Sequence, residues 1–120
     1  MTATRMEFDG KARLEMLSGI DLLADAAGAT LGPCGRNVVL ETEGGAPRST
    51  KDGATVARSI CPGDPVAAAG AALVRDLAEQ VTAAAGDGTT SAILVARAAM
   101  REGVKLVAAG HDPADVKRGM

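Results

Sequence analysis

Four clusters of chain breakers, Gly32-Pro33-Cys34-Gly35, Pro62-Gly63-Asp64-Pro65, Gly86-Asp87-Gly88 and Gly110-His111-Asp112-Pro113, set the longest element this chain can form. Proline cannot continue a helical ladder because it lacks the N–H and its ring clashes with the preceding turn, and glycine loses the most backbone freedom on ordering. Between the breakers the residues repeat at helical spacing. From Lys11 to Ala29, Met16, Leu17, Ile20, Leu23, Ala24 and Ala27 make the stripe of an amphipathic helix. Val66 to Ala85 repeats Val66, Gly70, Leu73, Leu77, Val81 and Ala84 behind an Asp64 cap and a proline at the first helical position. Thr89 to Ala109 sets Ile93, Ala96, Met100, Val104 and Val107 on one face. A short helix is expected from Ala54 to Ser59. Another opens at Asp112-Pro113 and breaks off at Met120 after about two turns, too little to hold itself. That reads as an N-terminal piece of a longer chain. The remaining segments, Asn37 to Thr42 and Arg48 to Lys51, flank Gly44-Gly45 and predict a two-stranded hairpin. An isolated hairpin is marginal in water, so this one should pair with something else. The fold class is therefore mainly α, a helical bundle with one small hairpin.

What fills such a bundle is unusual. The chain has 25 alanines, Leu, Ile, Val and Phe number 24 in 120 residues, and Phe8 is the lone aromatic. That is the lower edge of what a packed core needs, and the large rings that dominate burial are missing. Net charge is only −2, so the other half of the disorder signature is absent. A folded, core-poor chain that leans on close alanine packing or on partners is expected. No basic excess or aromatic platform argues for nucleic acid. Uncharged runs such as Val66 to Val74 end far short of the roughly 20 residues of a bilayer span. Met1 to Gly10 carries Arg5, Glu7 and Asp9 with no apolar run behind them, which is no secretory signal, so a cytoplasmic protein is expected. Cys34 and Cys61 have no metal-ligand spacing to His111 and read as reduced thiols, with His111 an exposed turn residue.

Three glycine-containing loops can carry chemistry: Thr30 to Gly35, Lys51-Asp52-Gly53, and Gly86 to Ser91. In the third, glycines permit close backbone approach, the free N–H groups at the start of the Thr89 helix favour an anion, and hydroxyls add donors to phosphate oxygens. Asp87 among those donors makes sense if a hard cation such as Mg²⁺ bridges carboxylate and phosphate. The plainer reading of the residues is that Asp87 caps the helix and the glycines make a tight turn. Lys51 and Asp52 divide the same way: phosphate pairing and orientation of a metal or an attacking water, or a solvated turn entering a helix. None of the loops is a Walker A or dinucleotide fingerprint.

The four segments Thr30-Leu-Gly-Pro-Cys-Gly-Arg-Asn-Val-Val-Leu40, Thr50-Lys-Asp-Gly-Ala-Thr-Val-Ala-Arg58, Ala85-Gly-Asp-Gly-Thr-Thr-Ser91 and Ala108-Ala-Gly-His-Asp-Pro-Ala-Asp-Val-Lys-Arg-Gly119, in this order, resemble the start of a GroEL-type group I chaperonin over nearly the whole chain. The resemblance implies that residues 1–120 are the N-terminal part of an equatorial, ATP-binding domain, with the intermediate and apical domains elsewhere. It implies ATP and Mg²⁺ as cofactors. Thr30, Leu31, Gly32 and Pro33 would line the nucleotide pocket, Lys51, Asp52 and Gly53 would meet phosphate and the region of the attacking water, Asp87 would hold Mg²⁺, and Gly88, Thr89, Thr90 and Ser91 would wrap the phosphates. By the same resemblance Asp52 would be the residue with a catalytic role in these positions, since the family's general-base aspartate lies in the intermediate domain. The hairpin would match the stem loop that adds strands to a neighbouring subunit. Partners implied are identical subunits in a ring, and, through the other domains, a co-chaperonin and unfolded proteins.

Two departures stand out. Cys34 occupies a position where the family usually has lysine, which removes a positive charge beside the pocket, and Ser91 replaces a usual threonine but keeps the hydroxyl. The complete function implied is ATP-driven protein folding, in which these residues supply one side of the pocket and part of the ring contact. A stand-alone chaperonin-like module that oligomerises or binds a partner without hydrolysing ATP is the alternative, and Cys34 is its only support.

Overall fold

The computed structural model describes residues 4–120. In order, the elements are α1 (Asp9–Gly28), β1 (Val38–Leu40), β2 (Arg48–Thr50), α2 (Gly53–Ser59), α3 (Pro65–Ala85), α4 (Thr89–Ala108) and α5 (Pro113–Gly119). Each lies where the breakers allow it, with ends within about two residues of the sequence expectation. Asp52, Asp64 and Asp112 cap α2, α3 and α5 by accepting from backbone N–H groups of the first turn. The two strands pair antiparallel in the register Val38 to Thr50, Val39 to Ser49 and Leu40 to Arg48. Among the described residues they form a sheet of their own with both edges open.

Helix α1 is the centre of the bundle, packed against α3, α4 and α2. The core consists of Ile20, Leu23, Ala24 and Ala27 from α1, Ala57 from α2, Ala71, Val74 and Ala78 from α3, and Ile93 from α4. Five of these nine are alanines, so stability has to come from close approach of the backbones. Where α1 meets α3 that approach is extreme. A Cβ on Gly19 would lie 1.9 Å from the Ala67 carbonyl oxygen, and one on Gly70 would lie 2.2 Å from that of Met16. Both obstacles are backbone atoms and cannot swing aside. Gly70→Ala should therefore cost about 1–3 kcal/mol by forcing the helices apart, read as a lower urea midpoint.

That crossing also corrects the expected face of α3. Its buried residues are Ala67, Gly70, Ala71, Val74 and Ala78. Of the predicted stripe only Gly70 is buried, while Leu73 and Leu77 are 60% and 44% exposed. The small residues face α1 because only they admit its backbone, and the leucines are left outside. The predicted face of α4 points the right way, but beyond Ile93 it is only partly covered. Arg97 pairs with Asp25 and Arg101 Nε donates to Asp21 Oδ1 at 2.8 Å, fastening α4 to α1 from the surface. Cys34 and Cys61 are free and exposed, and His111 is exposed. No helix among the described residues is long and apolar enough to cross a membrane.

Candidate functional site

The three glycine loops meet at one end of the bundle. The first leaves α1 and turns back tightly: Gly35 N–H donates to the Gly32 carbonyl at 3.0 Å and Arg36 N–H to that of Ala29 at 2.7 Å. Thr30 is buried at the root of this loop, its hydroxyl donating 2.7 Å to the Ala27 carbonyl. The second loop leaves β2 and becomes the start of α2. The third is the turn between α3 and α4, made by Gly86 and Gly88 in the left-handed region at φ 79° and 96°. A side chain there would strain the backbone by roughly 1 kcal/mol or more.

Gly53 is the point of closest contact between the loops. A Cβ on it would stand 2.0 Å from the Thr90 hydroxyl oxygen and 3.0 Å from that of Thr30. In front of this contact opens a cavity of about 230 Å³ lined by Leu31, Asp52, Ala54, Asp87, Gly88, Thr89, Thr90 and Ser91. Seven of the predicted site residues thus share one cavity, and Thr30 and Gly53 form the packed layer at their contact. Gly32, Pro33 and Lys51 are exposed outside it. Ala54 lines the cavity but was not foreseen, because alanine carries no chemical signal in a sequence.

Two features give the cavity its electrostatic character. Asp52 accepts hydrogen bonds from the Thr55 hydroxyl, from Thr55 N–H at 3.0 Å and from Ala54 N–H at 3.3 Å. The Thr55 hydroxyl most of all, helped by the two amides, holds its carboxyl below the ordinary range. Asp52 is therefore a carboxylate at neutral pH. Asp87 Oδ1 accepts from Gly88 N–H at 2.7 Å and is otherwise open to solvent. Unlike α2, α3 and α5, whose N-caps are aspartates, α4 has Gly88 at its N-cap, and no side chain caps its first turn. Thr89, Thr90 and Ser91 of that first turn line the cavity, so the amides left without helical partners lie beside it at the positive end of the helix dipole.

Donors for an anion and carboxylates for a cation thus stand side by side. No three His, Cys, Asp or Glu side chains cluster among the described residues. A cation held at Asp87 would take its other ligands from water and from phosphate oxygens, the way Mg²⁺ is commonly bound. One expected donor is already engaged: the Thr89 hydroxyl pairs with that of Thr82, which donates to the Ala78 carbonyl at 2.9 Å. This leaves Thr90 and Ser91 to serve a ligand.

Comparison with known proteins bears on the fold and the family. The chaperonin gp146 from the bacteriophage EL 2 (Pseudomonas aeruginosa), crystallised in the presence of ATP-BeFx, matches 78% of this chain at a TM-score of 0.69 and 31% identity. The chain spans 17% of that protein's length. The helical bundle with its antiparallel hairpin is thus of the chaperonin equatorial-domain type. The model of the TCP-1/cpn60 chaperonin family matches residues 23–120, a range that takes in all three loops and every core residue but Ile20. By that match the chain belongs to the TCP-1/cpn60 chaperonin family.

Proposed function

We propose that residues 1–120 are the N-terminal part of the equatorial domain of a group I, cytoplasmic, ATP-driven protein-folding chaperonin, and that the cavity at the three loops is one wall of its nucleotide pocket. The observation that carries this reading is the placement of Asp52, Asp87 and the uncapped start of α4 around one cavity. A nucleotide phosphate chain with its divalent cation needs both kinds of group within a few ångströms. The phage chaperonin's crystallisation with ATP-BeFx supports the same ligand class.

In this reading the amides of α4's first turn and the hydroxyls of Thr90 and Ser91 hold the phosphates, and Asp87 holds Mg²⁺. Screening of charge on the transferring phosphoryl group is the chemistry the metal supplies when bound. Asp52, kept ionised by Thr55, orients the water that attacks. Leu31 covers the apolar side of the ligand. Lys51, exposed beside the cavity, adds a mobile positive charge at its rim. Phosphoryl transfer also needs a base, and the family resemblance puts it in the intermediate domain. The open edges of the hairpin add a strand to a neighbouring subunit of the ring. Co-chaperonin and unfolded proteins are bound by the other domains.

The test is calorimetric titration of ATP into the whole protein with Mg²⁺ and with EDTA. Asp87→Ala should weaken binding about tenfold or more with Mg²⁺ and little in EDTA, since only the metal-bridged part is lost. Equal losses under both conditions would sink the assignment. A capping role alone would lower stability by about 0.5–2 kcal/mol with no dependence on metal.

A further inference from the structure

The helix that carries Asp52 into the site has only seven residues, Gly53–Ser59, too few to persist without fixed ends. Its N-terminus is capped by Asp52 itself. Its C-terminus is held from another element: Arg75, midway along α3, donates from Nε to the Ala57 carbonyl at 2.9 Å and from its terminal nitrogen to the Ile60 carbonyl at 2.5 Å. These oxygens lie at the end of α2, where the helix leaves its carbonyls without internal partners and where a cation is favoured. The guanidinium is half-buried and faces a cavity of about 360 Å³ between α2 and α3, lined also by Arg58, Glu79, Thr82, Ala54 and Thr89. Ala54 and Thr89 line the nucleotide-side cavity as well, so one layer of residues separates the two spaces.

We infer that Arg75 is a positioning residue for the site: by gripping the C-terminal end of α2 it sets where Asp52 and Gly53 stand against Thr90 and the start of α4. This rests on the proposed nucleotide site for its functional consequence, but its structural half stands without a ligand. Gly53, Val56 and Ala57 bury one face of α2, and Ile60 packs partly buried against the core. Without Arg75 the helix keeps that anchor and loses both hydrogen bonds at one end. Its last carbonyls then turn to water, its first turn frays, and Asp52 loses the fixed amides of Ala54 and Thr55.

The experiment compares Arg75→Met with Arg75→Lys in the whole protein. Hydrogen exchange by mass spectrometry is followed on peptides spanning 52–60, 18–28 and 90–100, together with Mg²⁺·ATP titration and steady-state ATP turnover. Arg75→Met should speed exchange in 52–60 by roughly tenfold, the scale of losing hydrogen bonds from a charged donor. The other two peptides should be unchanged, and steady-state ATP turnover should fall by a similar factor with the dissociation constant for Mg²⁺·ATP little changed, as for Asp52→Asn. Arg75→Lys, which still donates to carbonyls, should recover most of both effects. Uniform acceleration in all three peptides, or none in 52–60, overturns the proposal. If the wild-type protein fails to bind Mg²⁺·ATP at all, the nucleotide reading fails and the exchange pattern still decides the role of Arg75.

Discussion

Asp52→Asn should slow ATP hydrolysis by the whole protein roughly 100-fold, the usual consequence of misplacing an attacking group, while changing ATP affinity little and leaving the fold intact. The choice of asparagine matters. Asp52 does two things at once: it caps α2 through Ala54 and Thr55, and its second face opens on the cavity. Asparagine caps as well as aspartate does, whereas alanine forfeits about 0.5–2 kcal/mol. A loss of turnover shared by Asn and Ala belongs to the carboxylate's charge, and a loss confined to Ala belongs to the cap. Steady-state ATPase assays beside titrations separate them, and normal turnover in Asp52→Asn would remove Asp52 from the reaction.

The same substitution has a consequence for acid stability. Because the folded-state pKa of Asp52 is depressed, with the Thr55 hydroxyl as first cause, its contribution is complete above the ordinary aspartate value of about 3.9. It is lost as pH falls through the depressed value. Asp64 behaves likewise, its carboxyl lowered first by the Ala67 amide and then by Arg5. Urea unfolding at pH values from about 5 down to 2 should show a shallower acid decline in Asp52→Asn than in the wild type.

How much of this was legible in the sequence depends on how local the cause is. The breaks at Gly86-Asp87-Gly88 and Pro62 to Pro65, the Asp64 and Asp112 caps and the hairpin around Gly44-Gly45 are decided by neighbours in the chain, and each is where the residues imply. The face of α3 was not legible. Helical periodicity picks out the large apolar residues, Leu73 and Leu77. The fold instead buries Ala67, Ala71 and Ala78, because Gly19 and Gly70 let two backbones touch. Nothing near Leu73 in the sequence announces that contact. Arg75 and Thr82 were invisible for the same reason, since their partners lie on α2 and at the start of α4. The loops themselves were legible as glycine-rich turns with Asp, Thr and Ser. That they converge, and that Gly32, Pro33 and Lys51 stand outside the cavity, depends on how α1, α3 and α4 pack.

Gly53 should prove the least replaceable residue of the site, and its intolerance should be traceable to one partner. Adding a methyl group there puts carbon 2.0 Å from the Thr90 hydroxyl oxygen, 3.0 Å from that of Thr30 and 3.3 Å from Thr90 Cβ. The Thr30 hydroxyl is buried and bound to the Ala27 carbonyl, so it cannot give way. Thr90 can rotate, but it sits in the first turn of α4, and moving it disturbs the amides beside the cavity. Gly53→Ala should therefore cost about 1–3 kcal/mol of stability and raise the dissociation constant for Mg²⁺·ATP by about 10-fold to 100-fold. In the double variant Gly53→Ala with Thr90→Ala the 2.0 Å clash is gone, and the nearest atom is the Thr30 hydroxyl at 3.0 Å. Stability should then exceed the sum of the single effects by about 1 kcal/mol or more, as expected for residues in direct contact. Affinity should recover less than stability, because the Thr90 hydroxyl is itself a ligand to phosphate in the proposed site. Strictly additive unfolding energies across the four proteins would show that Gly53 and Thr90 do not touch, and the convergence of the second and third loops would fall with them.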